Sequence, residues 1–370
     1  MSDVTVASAK NTESTRPPLA PPLRLVLPGG EGHLGRLVAQ HFSTEGHKVI
    51  TLSRNPGCLT APSGRTLTAH PACWTTINWD GRTLGGWIEA LDGADVLINL
   101  AGRSVDCRYN AKNRNAILQS RVESTCILGE AIQKLRRPPA VWLNASTATI
   151  YRHSFDRAMD EASGEIGGTE PDAHPSWQFS VEVARQWEQS LFSSHTPKTR
   201  KIAMRTAMVM SSRQGGIFEI VLRLVRLGLG GAWGSGRQYI SWIHEQDFLR
   251  AIDHLIWDER IHGVVNLAAR APLPNREFLC ALREAWGASF GLPATRWVLE
   301  VGAALLQTET ELLLKSRRVI PGILPQHGFE FRFPSWPQAA QDLVSRWRGA
   351  SRATRDLLPS DKEEAIERAN

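Results

Sequence analysis

LRLVLPGGEGHLGRLVAQHFSTEGHKVITLSR, residues Leu23–Arg54, is the stretch that decides the fold. Leu23–Leu27 is mostly apolar, as a buried strand requires. Gly29, Gly32 and Gly35 follow at GxxGxxG spacing, and Leu34, Leu37, Val38 and Phe42 then recur at helical intervals. Gly46 suits a left-handed helix stop, and Lys48–Ser53 returns to strand composition. Strand, glycine turn, helix and strand in this order make a parallel pair joined by a helix. In such a turn the first glycine permits the bend, the second lets backbone approach a pyrophosphate, and the third lets helix and strand pack closely. The helix N-terminus then offers unpaired N–H groups to an anion. This context separates a dinucleotide site from a plain glycine-rich loop.

The end of the second strand chooses the dinucleotide. An acid there would bond the adenosine ribose hydroxyls and favour NAD; Ser53 and Arg54 stand there instead, which suits the 2′-phosphate of NADP(H).

Downstream, strand and helix patterns alternate. Asp95–Leu100 reads as a buried strand ending in Ala101-Gly102, small residues that leave room for a ligand. Residues 111–135 read as a long helix that ends at Arg136-Arg137-Pro138-Pro139. Val141–Asn144 is a strand leading into Ala145-Ser146-Thr147-Ala148-Thr149-Ile150-Tyr151, Phe179–Phe192 a helix, Lys201–Thr206 a strand and Val264–Leu267 a last short strand. The alternation predicts an α/β fold with a doubly wound parallel sheet over residues 23–270. A mainly helical module is expected over 271–347, a disordered Ser/Thr/Pro-rich tail over 1–22 and a charged tail over 348–370. Asp80 either approaches an adenine or begins a turn.

Composition narrows the class. The chain has 370 residues, 42% hydrophobic and 22% charged, in the globular range. No run of apolar residues is long enough to span a membrane, and the N-terminus lacks a signal-peptide core. The net charge of +6 is dispersed among acidic neighbours, so it argues for anionic cofactors rather than nucleic acid. The five cysteines are scattered and form no CxxC pair, so neither zinc nor a disulfide framework is indicated, and a reducing cytoplasmic setting is expected.

Several segments together resemble the extended short-chain dehydrogenase/reductases, and more closely the nucleoside-diphosphate-sugar epimerase-like branch. The resemblance covers about residues 23–347. It rests on Gly29–Gly35, Ile98–Gly102, Ser120-Arg121-Val122, Trp187-Glu188, the run Gly228–Gln238, Ser241-Trp242-Ile243-His244 with Asp247, Asn275–Phe278, and Gly328–Pro334. It implies a Rossmann domain binding NADP(H) and a smaller C-terminal domain closing over a substrate cleft. By position, Gly29, Gly32, His33, Leu34 and Gly35 would hold pyrophosphate, Ser53 and Arg54 the 2′-phosphate, and Leu100, Ala101 and Gly102 the adenosine and ribose. Ser146 would hydrogen-bond the reacting oxygen. Arg237, Trp242 and His244 would line the substrate side; as residues alone, His244 and Asp247 read equally as a helix start with a capping role.

The departures shape the expected function. Pro28 and Glu31 stand where the superfamily turn has other residues; Pro28 lacks a backbone donor, and Glu31 puts negative charge beside an anion site unless its side chain turns away. The superfamily's Tyr-x-x-x-Lys pair is replaced by Phe179 and Val183, which can neither give nor steer a proton. Two functions remain open: an NADP(H)-dependent oxidoreductase or epimerase-like enzyme, with Tyr151 as proton donor beside Ser146, or a non-catalytic sensor of NADP(H) or a nucleotide-sugar. No metal is expected, and the assembly is a monomer or homodimer.

Overall fold

A computed structural model describes residues 21–54, 74–170, 174–294 and 315–356. Of the tail expected over residues 1–22, residues 1–20 lie outside the described residues, as do residues 55–73.

Seven parallel strands form the central sheet: β1 (Arg24–Pro28), β2 (Lys48–Ser53), β3 (Thr75–Asn78), β4 (Val96–Asn99), β5 (Val141–Thr147), β6 (Arg200–Thr206) and β10 (Gly263–Leu267). Their spatial order is β10-β6-β5-β4-β1-β2-β3, and every pairing is parallel. Helices cover both faces, so the inner strands are buried on both sides and read as near-continuous apolar runs: Leu25, Val26 and Leu27 in β1, Val96, Leu97 and Ile98 in β4. The chain leaves β1 toward β2 on one side and returns to β4 on the other. This reversal opens a crevice at the carboxyl ends of β1 and β4.

The helices that frame the crevice are α1 (His33–Thr44), α3 (Ala111–Lys134) and α4 (Pro175–Ser193); a single turn, α2 (Ile88–Leu91), lies between β3 and β4. Asn110 starts α3 by accepting from the Asn113 N–H at 2.9 Å. Strands β7 (Met208–Met210) and β9 (Trp242–His244) pair in parallel outside the main sheet, and β8 (Tyr239–Ile240) pairs with β11 (Leu273–Pro274). The sequence reading missed these short pairs, because two or three residues carry no period.

The remaining helices are α5 (Ile217–Arg226), α6 (Glu245–Trp257), α7 (Asn275–Trp286), α8 (Ile323–Gln326) and α9 (Trp336–Asp356). A second core joins α5, α7 and α9 through Phe218, Trp242, Phe278 and Trp336. Asp247 ties the C-terminal segment down, accepting from the Arg332 and Phe333 N–H groups, both at 2.8 Å. Helix α9 runs beyond residue 348 to Asp356, further than the tail boundary expected from charge alone. Among the described residues no helix is long and apolar enough to cross a membrane.

Candidate functional site

The glycine turn sits at the end of β1. Gly29 has φ +78, and a Cβ there would fall 2.7 Å from the Ala101 nitrogen, so only glycine lets this turn pass under the β4 loop. A Cβ on Gly35 would fall 2.4 Å from the Gly29 carbonyl oxygen, which is the helix–strand approach expected of the third glycine. Gly32 is open: a Cβ would meet only the Gly29 carbonyl oxygen, at 3.3 Å. No side chain caps α1 and its first turn holds no acid, which leaves its N–H groups to an anion. Pro28 is accommodated as the last residue of β1; its carbonyl accepts from Leu100, and the Gly29 N–H bonds the Leu52 carbonyl instead.

Two clefts meet at this turn, sharing Gly29, Gly32, Leu100 and Gly102. The smaller, about 270 Å³, contains Ser53, Arg54, Asp80 and Ala101. Arg54 is exposed there, and no carboxylate among the described residues pairs with it. Asp80 lines this cleft and accepts from the Arg82 and Thr83 N–H groups, so it starts a turn. Glu31 lies at the rim with its carboxylate committed, one oxygen accepting from Thr51 Oγ1 and Thr76 Oγ1 and the other facing Arg36 Nε at 3.3 Å. Beneath the floor, Asn99 Nδ2 donates to Asn144 Oδ1 at 2.7 Å while Asn99 Oδ1 accepts from the Ala101 N–H. This buried pair across β4 and β5 pins the Leu100–Gly102 loop.

The larger cleft, about 560 Å³, holds His33, Leu34, Gly35 and Ser146. Burial pushes the His33 imidazole below its ordinary pKa, against a bond to the Gln214 backbone, so it stands neutral at the turn. Ser146 lies opposite Arg205 in the β5–β6 register. Its Oγ donates to Glu188 Oε1 at 2.6 Å, and Glu188 in turn receives Arg205 Nε and Nη2, both at 2.8 Å. Burial works against the Arg205 charge, but pairing with Glu188 outweighs it and raises the guanidinium pKa. Helix α4 sends Phe179, Val183 and Trp187, at i, i+4 and i+8, to the cleft from one face. The absent proton-relay pair is therefore absent at the cleft wall itself.

Arg121 was quoted only as part of a motif, yet it lines this cleft. Its Nη1 donates to the Arg103 and Ile117 carbonyls, both at 3.0 Å, and its guanidinium lies 5.1 Å from the Trp187 ring centre. Burial lowers its pKa to about 10. A cation held by carbonyls and an aromatic face is suited to an anionic group entering the cleft. Local patterning gives no signal for this; only convergence of α3 with the β4 loop does.

Four expected site residues do not reach the clefts. Tyr151 is 1% exposed, its hydroxyl donates to Asn266 Oδ1 at 3.0 Å, and its ring is covered by Arg205. Burial raises its pKa, which further disfavours proton release. Trp242 is fully buried in the second core, 5.0 Å from Trp336 between ring centres, with Nε1 donating to the Ala271 carbonyl. His244 stacks on Phe333 at 3.8 Å, accepts from the Gln246 N–H as the cap of α6, and contacts Asp342 through Nε2 at 3.1 Å. Arg237 is exposed on a turn lining neither cleft. The motif around Trp242 and His244 thus builds a helix start and a core, the alternative reading of those residues.

Comparison with known proteins agrees with this architecture. The model of the NAD dependent epimerase/dehydratase family matches residues 25–268, and a domain of unknown function, DUF1731, matches residues 294–343. The human epimerase family protein SDR39U1 is 29% identical over 328 residues, covering 87% of this chain and all of that protein. An epimerase family protein of Staphylococcus epidermidis is 30% identical, covering 87% of this chain and 99% of its own length. A crystal structure of human SDR39U1 with NADPH superimposes with a TM-score of 0.73 at 28% identity, covering 87% of this chain and 99% of that one. A match of this extent to the family model, together with the turn, the crevice and the sheet order, means that the chain belongs to the NAD dependent epimerase/dehydratase family.

Proposed function

We propose that the chain binds NADP(H) along the two joined clefts and acts as an oxidoreductase or epimerase-type enzyme on a carbonyl or nucleotide-sugar substrate. The observation that carries this reading is the continuity of the clefts through the glycine turn, with Arg54 at one end and Ser146 at the other. The residues suit the dinucleotide. Gly32 leaves backbone open to the pyrophosphate, Ser53 and Arg54 bind the 2′-phosphate, and Leu100, Ala101 and Gly102 pass beside the adenosine ribose. Arg121 faces the anionic part of the bound molecule. When bound, the reduced dinucleotide supplies a hydride; the protein orients it and handles the proton. Ser146, whose own proton is held by Glu188, presents lone pairs to the cleft and so accepts from a substrate hydroxyl. A reducing, cytoplasmic setting belongs to this reading, supported by the unpaired Cys107, Cys126 and Cys280.

The second reading, a non-catalytic sensor, is favoured by Phe179 and Val183 on the cleft wall. Calorimetry with NADPH and NADH, followed by NADPH oxidation against a panel of aldehydes, ketones and nucleotide-sugars, tests both. Tight NADPH binding with turnover supports the enzyme; tight binding with none supports the sensor. Failure to bind NADPH overturns the enzyme reading and leaves only a sensor of a nucleotide-sugar.

A further inference from the structure

We propose that a further cavity, separate from the dinucleotide clefts, binds the phosphate group of a small molecule. The cavity is about 430 Å³ and shares no lining residue with either cleft. It lies where α1 and α6 meet the C-terminal segment. Four arginines from separate parts of the chain line it: Arg213 after β7, Arg250 on α6, Arg332 before α9 and Arg346 on α9. Glu245 is the one acid among its lining residues.

The acids of this neighbourhood are spent within the protein. Glu245 accepts from Ser211 Oγ at 2.5 Å and from Ser212 Oγ at 3.1 Å. Asp247 is buried, and besides the Arg332 and Phe333 N–H groups it accepts from Arg250 Nη1 at 3.2 Å. Asp342 meets Arg346 Nε at 2.6 Å and His244 Nε2 at 3.1 Å. His41, which also lines the cavity, contacts Asp253 at 3.1 Å. Arg250 and Arg346 thus carry carboxylate partners, whereas among the described residues Arg213 and Arg332 have none within bonding distance. Arg213 Nη1 donates to the neutral amide of Gln40 at 2.7 Å; burial pushes its pKa down, and the charge of Glu245 offsets this only in part. The Arg332 guanidinium lies 5.9 Å from the Phe333 ring centre.

The arginines are held in place. Phe329 and Phe333 are buried, and the alternation between them leaves Arg332 exposed while Asp247 pins its backbone. Arg250 Nη1 also donates to the Glu330 carbonyl at 2.7 Å, which ties the same segment to α6. A guanidinium fork matches phosphate oxygens bidentately, and charge-assisted bonds of this kind are strong. The volume suits a small ligand, and Leu37 and Leu249 offer its remainder an apolar surface.

The test titrates sodium pyrophosphate into the full-length protein saturated with NADP⁺, so that the glycine turn is occupied. Calorimetry should show a binding event that remains under this saturation. Arg332→Ala and Arg213→Gln should each weaken it by about 10-fold or more, while NADPH affinity, measured separately, stays within about twofold. Absence of pyrophosphate binding overturns the proposal, as does binding that either substitution leaves unchanged. Loss of NADPH affinity in both variants also overturns it, since the arginines would then serve the dinucleotide. If the unmodified protein takes no NADP⁺, the dinucleotide reading fails alone; the two variants still report on this cavity, because neither arginine lines a cleft.

Discussion

Ser146 donates its hydroxyl hydrogen bond to Glu188 Oε1 at 2.6 Å, and Glu188 is held by Nε and Nη2 of Arg205. The serine expected to donate to a reacting oxygen is thereby an acceptor toward the cleft. Its partner carboxylate is only 8% exposed, so breaking the pair costs more than forming it contributes. Glu188→Gln should strand the Arg205 charge and destabilise the fold by about 3–5 kcal/mol. Ser146→Ala removes one bond and should cost about 1 kcal/mol. Urea unfolding of the two variants measures both; equal costs would contradict the dependence of Arg205 on Glu188.

Arg54 should set the cofactor preference. A guanidinium on a phosphate contributes about 1.5–3 kcal/mol, so Arg54→Ala should weaken NADPH binding by roughly 10- to 100-fold and leave NADH nearly unchanged. Equal affinities for the two cofactors in the unmodified protein, measured by calorimetry, would sink this prediction.

Glu31 should be tolerated at the turn rather than used by it. Its carboxylate is satisfied by Thr51, Thr76 and Arg36, and it faces the rim of the adenosine cleft. Glu31→Thr should leave NADPH affinity unchanged or tighten it, because a negative charge near the anion is removed. Loss of binding would show that the carboxylate shapes the cleft through Arg36.

Acidification should destabilise the protein through its buried histidines. Burial lowers the pKa of His33, His153, His244 and His254 below the ordinary 6.5, so the unfolded chain binds more protons than the folded one near and below that value. Stability from these groups is full above pH 6.5 and is lost as pH falls through and below it. His244→Asn, which keeps a capping side chain, should flatten this acid limb in thermal melts. An unchanged slope would mean that His244 titrates normally.

Much of the frame was legible because its causes are local. Gly35 is forced by contact with Gly29 and Gly30, and Gly29 turns with a left-handed φ of +78 inside the same strand–turn–helix unit, so spacing and period place both. Helix 111–134 shows its proline stop in the sequence for the same reason, while its Asn110 cap appeared only in the structure. The short strands Met208–Met210 and Trp242–His244 were invisible, since each exists only through the other, some thirty residues away. Trp242 and His244 were misplaced because a motif records which residues recur together, not whether they face a cleft or a core.

The order of residues alone therefore determined the parallel βαβ start, the place of the anion-binding turn, the arginine at the end of β2, and the loss of the tyrosine–lysine pair. Tertiary structure alone decided where protons sit. Ser146 comes from β5, Glu188 from α4 and Arg205 from β6, and only the packing of that helix on those two strands makes Ser146 an acceptor. Tyr151 and Tyr109 are likewise both tyrosines on loops beyond strand ends. One has turned inward to Asn266 and the other lies in the cleft against Phe179. That difference arises from contacts across 115 residues of chain for Tyr151 and about seventy for Tyr109, beyond the reach of the short periods that a sequence displays.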